Sequence, residues 1–226
     1  RSKPRRTCFD KNWVQISDWF VDIPLGKPGS FDSHGVMPTE IITLKDGTKY
    51  LYYIGWSKRL DVPYWNSIGL AISKDDGVTW KKYSEGPIFA SNSRESGFIG
   101  TIQVIQPSPK ERYSILFPEP LWKMYYSSAH WEEIDGKLEP VYDIKSAMSK
   151  DGISWDPTGK IIANTIGEEG GIASFRKFKD RFYFSLRKKF DYRTNPQNSY
   201  KIKSTDLNIE DEKIEIEPEG DELMTA

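Results

Sequence analysis

The sequence has one cysteine, Cys8, and two histidines, His34 and His130. One thiol cannot close an internal disulfide, so the chain either occupies a reducing compartment or folds without bridges. Zinc sites built on cysteine pairs are excluded, and two distant histidines argue against a His-rich metal site. Neither a metal nor a cofactor is expected. An excess of one charge is also missing. With 32 Lys+Arg against 33 Asp+Glu the net charge is −1, which leaves no electrostatic reason to bind nucleic acid or an anionic membrane. No run approaches the roughly eighteen apolar residues that span a bilayer. Helical periodicity is scarce. There is no Gly-rich phosphate loop, dinucleotide fingerprint, zinc motif or nucleophile elbow. Aromatic residues, by contrast, are abundant: eight Trp, twelve Tyr and eleven Phe make up 14% of the chain. Core packing absorbs aromatics, and sugar-binding clefts also use their faces.

The first residue is Arg1, followed by a basic polar stretch with no apolar signal region. The last residues, DELMTA, read as the start of an apolar strand. Both ends are therefore expected to be cut. The expected location is a bacterial cytoplasm, with secretion left open because the N-terminus is taken to be missing. The oligomeric state is not legible.

Strand-like runs dominate, bounded by Gly, Pro, Asp and Asn. They are VMPTEIITL (36–44), KYLYYIGW (49–56), SIGLAIS (67–73), LWKMYYSS (121–128), YDIKSAMS (142–149), GIASFRKF (171–178), RFYFSLR (181–187) and YKIKSTD (200–206). DGTK (46–49) and KDDG (74–77) are turn signals. The runs repeat. IGLAISKDDGVTW (68–80) aligns with IKSAMSKDGISW (144–155), and YKIKSTDLN (200–208) is a weaker third copy. An aromatic strand precedes each copy, and a strand opened by a Gly- and acid-rich stretch precedes each aromatic strand. That is the pattern of a four-stranded antiparallel β-propeller blade, which buries both faces only between neighbours. A β-sandwich with chance similarity is the competing architecture. SKDDGVTW (73–80) fits the Asp-box pattern, and SKDGISW (149–155) is a copy one residue shorter. Both read as fold staples: the Asp accepts backbone N–H groups, the Gly takes positive φ, and the Trp packs on the blade.

The stretch FDSHGVMPTEIITLKDGTKYLYYIGW, then IGLAISKDDGVTWKKYSEGPIF, resembles the glycosidase-related five-bladed propellers, relatives of glycoside hydrolase families 32, 43, 62, 68 and 130. Within them it is most similar to the predicted glycosidases found near bacterial polysaccharide genes. WKMYYSSAHW, YDIKSAMSKDGISW and EEGGIAS resemble the matching places in later blades. The resemblance runs from about Asp10 to Ala226. It implies an all-β, five-bladed β-propeller with four-stranded antiparallel blades, incomplete at both ends here. The units fall at roughly 1–30 (partial), 31–92, 93–163, 164–217 and 218–226 (partial). The resemblance further implies that a catalytic carboxylate of the first blade lies outside this sequence.

Residues at the start of each innermost strand should converge on the propeller axis. They are Asp32, Ser33 and His34; Gly97, Phe98 and Thr101; Glu168 and Glu169; and Asp221 and Glu222. Glycoside hydrolysis needs two carboxylates flanking the scissile bond. Asp32, Glu169 and Glu222 are the candidates, with Asp32 equally readable as an Asx turn. By resemblance, Glu169 is the general acid. Glu168 beside it would point the other way. His34 can hydrogen-bond a sugar or tune Asp32. Arg187 and Arg193 can grip a carboxylate, phosphate or hydroxyl pair. Trp56, Trp65, Trp131 and Tyr192 sit at or after strand ends and can stack on a sugar ring. Tyr52, Tyr125 and Phe184 read as core. The acidic stretch 208–222 alternates with Ile and reads as an exposed edge strand and loop.

The expected function is cleavage of a glycosidic bond in an oligo- or polysaccharide by paired carboxylates, with carbohydrate as the partner and neither nucleic acid nor membrane. One alternative is a non-catalytic carbohydrate-binding propeller in polysaccharide biosynthesis. Another is a glycoside phosphorylase or a sialidase-like enzyme.

Overall fold

The computed structural model describes residues 11–15, 23–108, 121–134, 136–164, 169–178, 181–188, 200–206 and 214–215. Every regular element among them is a β-strand. The first sheet contains β1 (Gly35–Thr43), β2 (Lys49–Ser57), β3 (Trp65–Ser73) and the two-residue β4 (Lys81–Lys82). They pair antiparallel in sequence order. The second contains β5 (Phe98–Ile105), β6 (Trp122–Ile134), β7 (Lys137–Ser149) and β8 (Asp156–Asn164), again antiparallel and in order. The third contains β9 (Glu169–Phe178), β10 (Arg181–Lys188) and β11 (Tyr200–Asp206). Within the segment Ser91–Ala226, which forms one compact unit, β9 lies against β5 and β7. The segment Arg1–Ala90 forms the other compact unit.

The strands sit where the aromatic and β-branched runs placed them, because such side chains suit a pleated, buried surface. In the first sheet the central strands β2 and β3 bury both faces, so their runs are continuously apolar rather than alternating. In the first unit Val36, Leu51, Tyr53 and Ala71 form one face and pack with Ile23, Leu25, Phe31 and Trp80. Tyr52, Ile54, Ile68 and Leu70, on the opposite face, are also buried. A fully buried side chain of this size contributes about 1.5–3 kcal/mol relative to leaving it in water.

Local chemistry sets the turns. In the β1–β2 hairpin Gly47 takes a φ of 84°, and Asp46 accepts Thr48 N–H at 3.0 Å. The turns after β3 and β7 are wired alike. Asp75 accepts Thr79 N–H at 2.8 Å and the Thr79 hydroxyl at 2.6 Å, while Gly77 N–H donates to Ser73 Oγ at 2.8 Å. Asp151 accepts Ile153 and Ser154 N–H at 2.7 and 2.8 Å, and Gly152 N–H donates to Ser149 Oγ at 2.9 Å. Gly77 and Gly152 both have positive φ. Trp80 packs on the first core cluster, and Trp155 is buried.

The acidic stretch read as an exposed edge strand holds one described element, β12 (Ile214–Glu215), which pairs parallel with the edge of β8. An unpaired sheet edge accepts any passing strand in either direction, so the direction was not set by the side-chain pattern.

Candidate functional site

The residues that open each first strand were expected to carry chemistry. Asp32 stands three residues ahead of Gly35, the first ladder residue of β1, which pairs with Trp56 at the end of β2. Its side chain is enclosed, at 1% exposure. Oδ2 accepts the Tyr53 hydroxyl at 3.1 Å and the Lys82 ammonium at 2.5 Å. Oδ1 accepts the Ser30 hydroxyl at 2.9 Å. This is more than an Asx turn, since two of the three donors lie 21 and 50 residues away. It is also not the open carboxylate that a sugar would meet.

His34 follows, half-buried, with its N–H donating to the Trp56 carbonyl at 2.9 Å. Its Nδ1 lies 2.9 Å from Ser33 Oγ. Trp56 meets Tyr64 with ring centroids 4.8 Å apart. Arg59 lies over the Trp65 ring at 5.5 Å, a cation–π contact. Asn66 pairs with Trp56 across the ladder and so shares its face. Its Oδ1 is buried without a hydrogen-bond partner, an omission that costs about 1–3 kcal/mol unless something outside the protein fills it. His34, Trp56, Tyr64 and Asn66 thus gather at the end of the sheet where β1 begins and β2 ends.

The second unit has a carboxylate that the sequence reading passed over. Glu95 lies three residues ahead of Phe98, the first ladder residue of β5, and its side chain is fully enclosed. Oε1 accepts Gly97 N–H at 3.0 Å, the Ser128 hydroxyl at 2.7 Å and the Lys145 ammonium at 3.1 Å. Oε2 accepts the Tyr126 hydroxyl at 2.8 Å. Burial pushes its carboxyl up, but the bonds from Ser128, Tyr126 and Gly97 and the charge of Lys145 outweigh it and hold it below the usual range. Burial first, and then the charge of the neighbouring carboxylate, pushes the Tyr53 and Tyr126 hydroxyls well above the ordinary tyrosine range. The repeat itself is the signal that finds Glu95. Aligning Tyr52–Tyr53 with Tyr125–Tyr126 and following the ladders back to the strand openings brings Asp32 onto Glu95.

Trp131, expected to face a ligand, is half-buried and lies 5.6 Å from the Phe98 ring, which also meets Tyr142 at 6.1 Å. Glu169 opens β9 and pairs with Lys188, and Arg187 pairs with Gly171; the side chains of both Glu169 and Arg187 lie outside the described residues, as do Glu168, Asp221, Glu222, Tyr192 and Arg193 altogether. Phe184 pairs with Phe175 and Lys203. Among the described residues, no three of His, Cys, Asp or Glu are arranged to hold a metal ion.

No family model matches the chain. An uncharacterized protein of Mycobacterium tuberculosis, found in two strains, is 32% identical over 166 residues, 71% of this chain and 51% of that protein. The chain therefore spans about half the length of the curated relatives it matches. Among solved structures, a family 32 β-fructofuranosidase of Bombyx mori superposes with a TM-score of 0.52 at 15% identity, over 73% of this chain and 32% of that one. An α-L-arabinanase of Penicillium chrysogenum complexed with arabinobiose gives a TM-score of 0.42 at 17% identity, over 76% of this chain and 46% of that one.

Proposed function

Since the chain has the fold of the glycosidase-like β-propellers, we propose that the protein to which it belongs cleaves a glycosidic bond in an oligo- or polysaccharide. In this reading the three sheets are successive blades of one five-bladed ring, and the chemistry takes place where their first strands begin. The observation that carries it is the gathering of His34, Trp56, Tyr64 and the unpaired Asn66 Oδ1 at that end of the first sheet. An aromatic face, an unpaired though buried acceptor and a half-buried histidine suit a sugar, which offers a flat C–H surface and hydroxyl donors.

Glu169 is the proposed general acid and Glu222 its partner, as base or nucleophile. Asp32, enclosed under Tyr53, Lys82 and Ser30, holds the site together and leaves proton transfer to the others. Arg187, Tyr192 and Arg193 are the proposed ligand contacts from the third blade, and Trp131 from the second.

The test is a panel of oligo- and polysaccharides offered to the longer protein, with released reducing sugar as the readout and Glu169→Gln as the control. Turnover that falls by about 10²–10⁴-fold in the variant supports the acid role. Undiminished turnover removes Glu169. Binding without turnover supports a second reading, a non-catalytic carbohydrate-binding propeller. One observation favours that alternative: the two strand-opening carboxylates whose side chains are described, Asp32 and Glu95, are buried and engaged.

A further inference from the structure

We propose that Asp32 and Glu95 are two copies of one positioning device, a buried carboxylate–phenol–ammonium triad. Each pins the opening of a first strand and acts on a ligand only through the residues that follow it.

The two copies coincide by register. Gly35 pairs with Trp56, and Phe98 pairs with Ala129. Each carboxylate stands three residues before the first member of its pair. Each phenol, Tyr53 or Tyr126, stands three residues before the second member. Both hydroxyls donate to the carboxylate, at 3.1 and 2.8 Å. The ammonium comes by two different routes. In the second unit Lys145 pairs directly with Tyr126. The corresponding partner of Tyr53 is Gly69. A Cβ at Gly69 would come 2.2 Å from Tyr53 Cζ, so no lysine fits there. The charge is delivered from the next strand instead, by Lys82, which pairs with Ala71. The position of the lysine has changed between the copies, and the triad has not. Such substitution of one route for another marks an arrangement required for its chemistry rather than inherited by position.

The device fixes a short stretch of backbone. The Asp32 carbonyl accepts Gly26 N–H at 3.3 Å while its carboxylate accepts Ser30 Oγ, and Ser33–His34 follow directly. In the second unit Glu95 accepts the N–H of Gly97, two residues on. A buried carboxylate already engaged by three or more donors is closed to a sugar hydroxyl. What it can do is hold the next residues in one orientation at the strand entrance. This role does not depend on whether the protein cleaves a glycosidic bond.

His34 reports on the device. With only two histidines in the chain, its ring signals can be assigned in a proton–carbon correlation spectrum by comparison with His130→Gln. The full chain carrying Asp32→Asn is expected to shift the His34 ring signals and leave those of His130 in place. Lys82→Met provides a second route should Asp32→Asn fold poorly. It should shift His34 as well, and Lys82→Arg should return the signals towards those of the unmodified protein. A folded Asp32→Asn or Lys82→Met protein with unshifted His34 signals overturns the proposal. So does a Lys82→Arg spectrum as displaced as that of Lys82→Met.

Discussion

Replacing Lys145 by methionine keeps most of the apolar stem and removes the ammonium facing Glu95. The Glu95 side chain is wholly enclosed, and the Lys145 side chain is 17% exposed. Removing one member of a buried ion pair costs about 3–5 kcal/mol, because the remaining charge is left uncompensated. Here the three neutral donors, Gly97 N–H, Ser128 Oγ and Tyr126 Oη, stay on the carboxylate. They reduce the expected loss to about 2–3 kcal/mol. Glu95→Gln leaves the ammonium behind, but a partly exposed lysine can turn its head towards water, so about 1–2 kcal/mol is expected. In the double variant neither charge is stranded. The two losses should then fall short of additivity by about 1–2 kcal/mol. Urea unfolding of the four proteins at pH 7 measures this, provided the m-values agree. Additivity within about 0.5 kcal/mol would refute the coupling. The pH dependence gives an independent check. The folded carboxyl lies below its ordinary value of 4.5. Its contribution is therefore fully present above that value and is lost as pH falls through the folded value. Glu95→Gln should flatten the stability profile on the acid side, and a profile as steep as that of the unmodified protein would count against the assignment.

Gly69→Ala drives a methyl group into the Tyr53 ring, which lies 2.2 Å from the ideal Cβ position. Overpacking of this kind costs about 1–3 kcal/mol, read as a lower urea midpoint. In the turn after β3, hydrogen bonds from the Thr79 hydroxyl and N–H and from Ser73 draw the Asp75 carboxyl down to about 2. Its share of the stability should be present above pH 3.8 and decline as pH falls towards 2, and Asp75→Ala should remove that limb from the thermal midpoint profile. Trp56→Ala takes away the ring that meets Tyr64 and is expected to weaken retention on an oligosaccharide ligand by about 2- to 10-fold, from the loss of about 0.5–1.5 kcal/mol of aromatic contact.

Strand positions and turns were legible in the sequence because their causes are local. Gly47, Gly77 and Gly152 sit where the backbone needs positive φ, and the Ser–Asp–Gly wiring of the turns spans at most a few residues. The aromatic strands were legible because apolar runs of that length have few other uses. Glu95 was not. It lies in the polar stretch SNSRESG, and nothing within ten residues announces a buried charge. Apart from Gly97 N–H, its partners are 31, 33 and 50 residues away. Lys82 and Lys145 read as surface lysines for the same reason. Their equal separation of 50 residues from Asp32 and Glu95 suggests matching places. The ladders show that they differ, one in a fourth strand and the other in a third. Register carries this information, and register is weakly written in strands that are apolar on both faces.

On the proposed function, the same count assigns different roles to two neighbouring carboxylates of the third repeat. There Gly171 pairs with Arg187, as Gly35 pairs with Trp56. Counting back three residues from Gly171 gives Glu168 in the sequence, although the ladder of β9 itself begins at Glu169. Lys203 pairs with Phe184 as Lys145 pairs with Tyr126, so the lysine place is kept and the phenol place is filled by Phe. The residue after that position is Ser33 in the first repeat, Ser96 in the second and Glu169 in the third. A carboxylate at this count in every repeat would serve what every repeat needs, which is to hold its first strand. A position that changes from Ser to Glu in one repeat serves something that only one blade needs, and a glycosidase needs its acid only once. Glu168→Gln should therefore lower stability and leave turnover per folded molecule intact. Glu169→Gln should leave stability within about 0.5 kcal/mol of the unmodified protein and lower turnover by about 10²–10⁴-fold. If instead Glu168→Gln abolishes turnover in a protein of unchanged stability, the anchor position itself carries the chemistry, and the separation drawn from the first two repeats does not extend to the third.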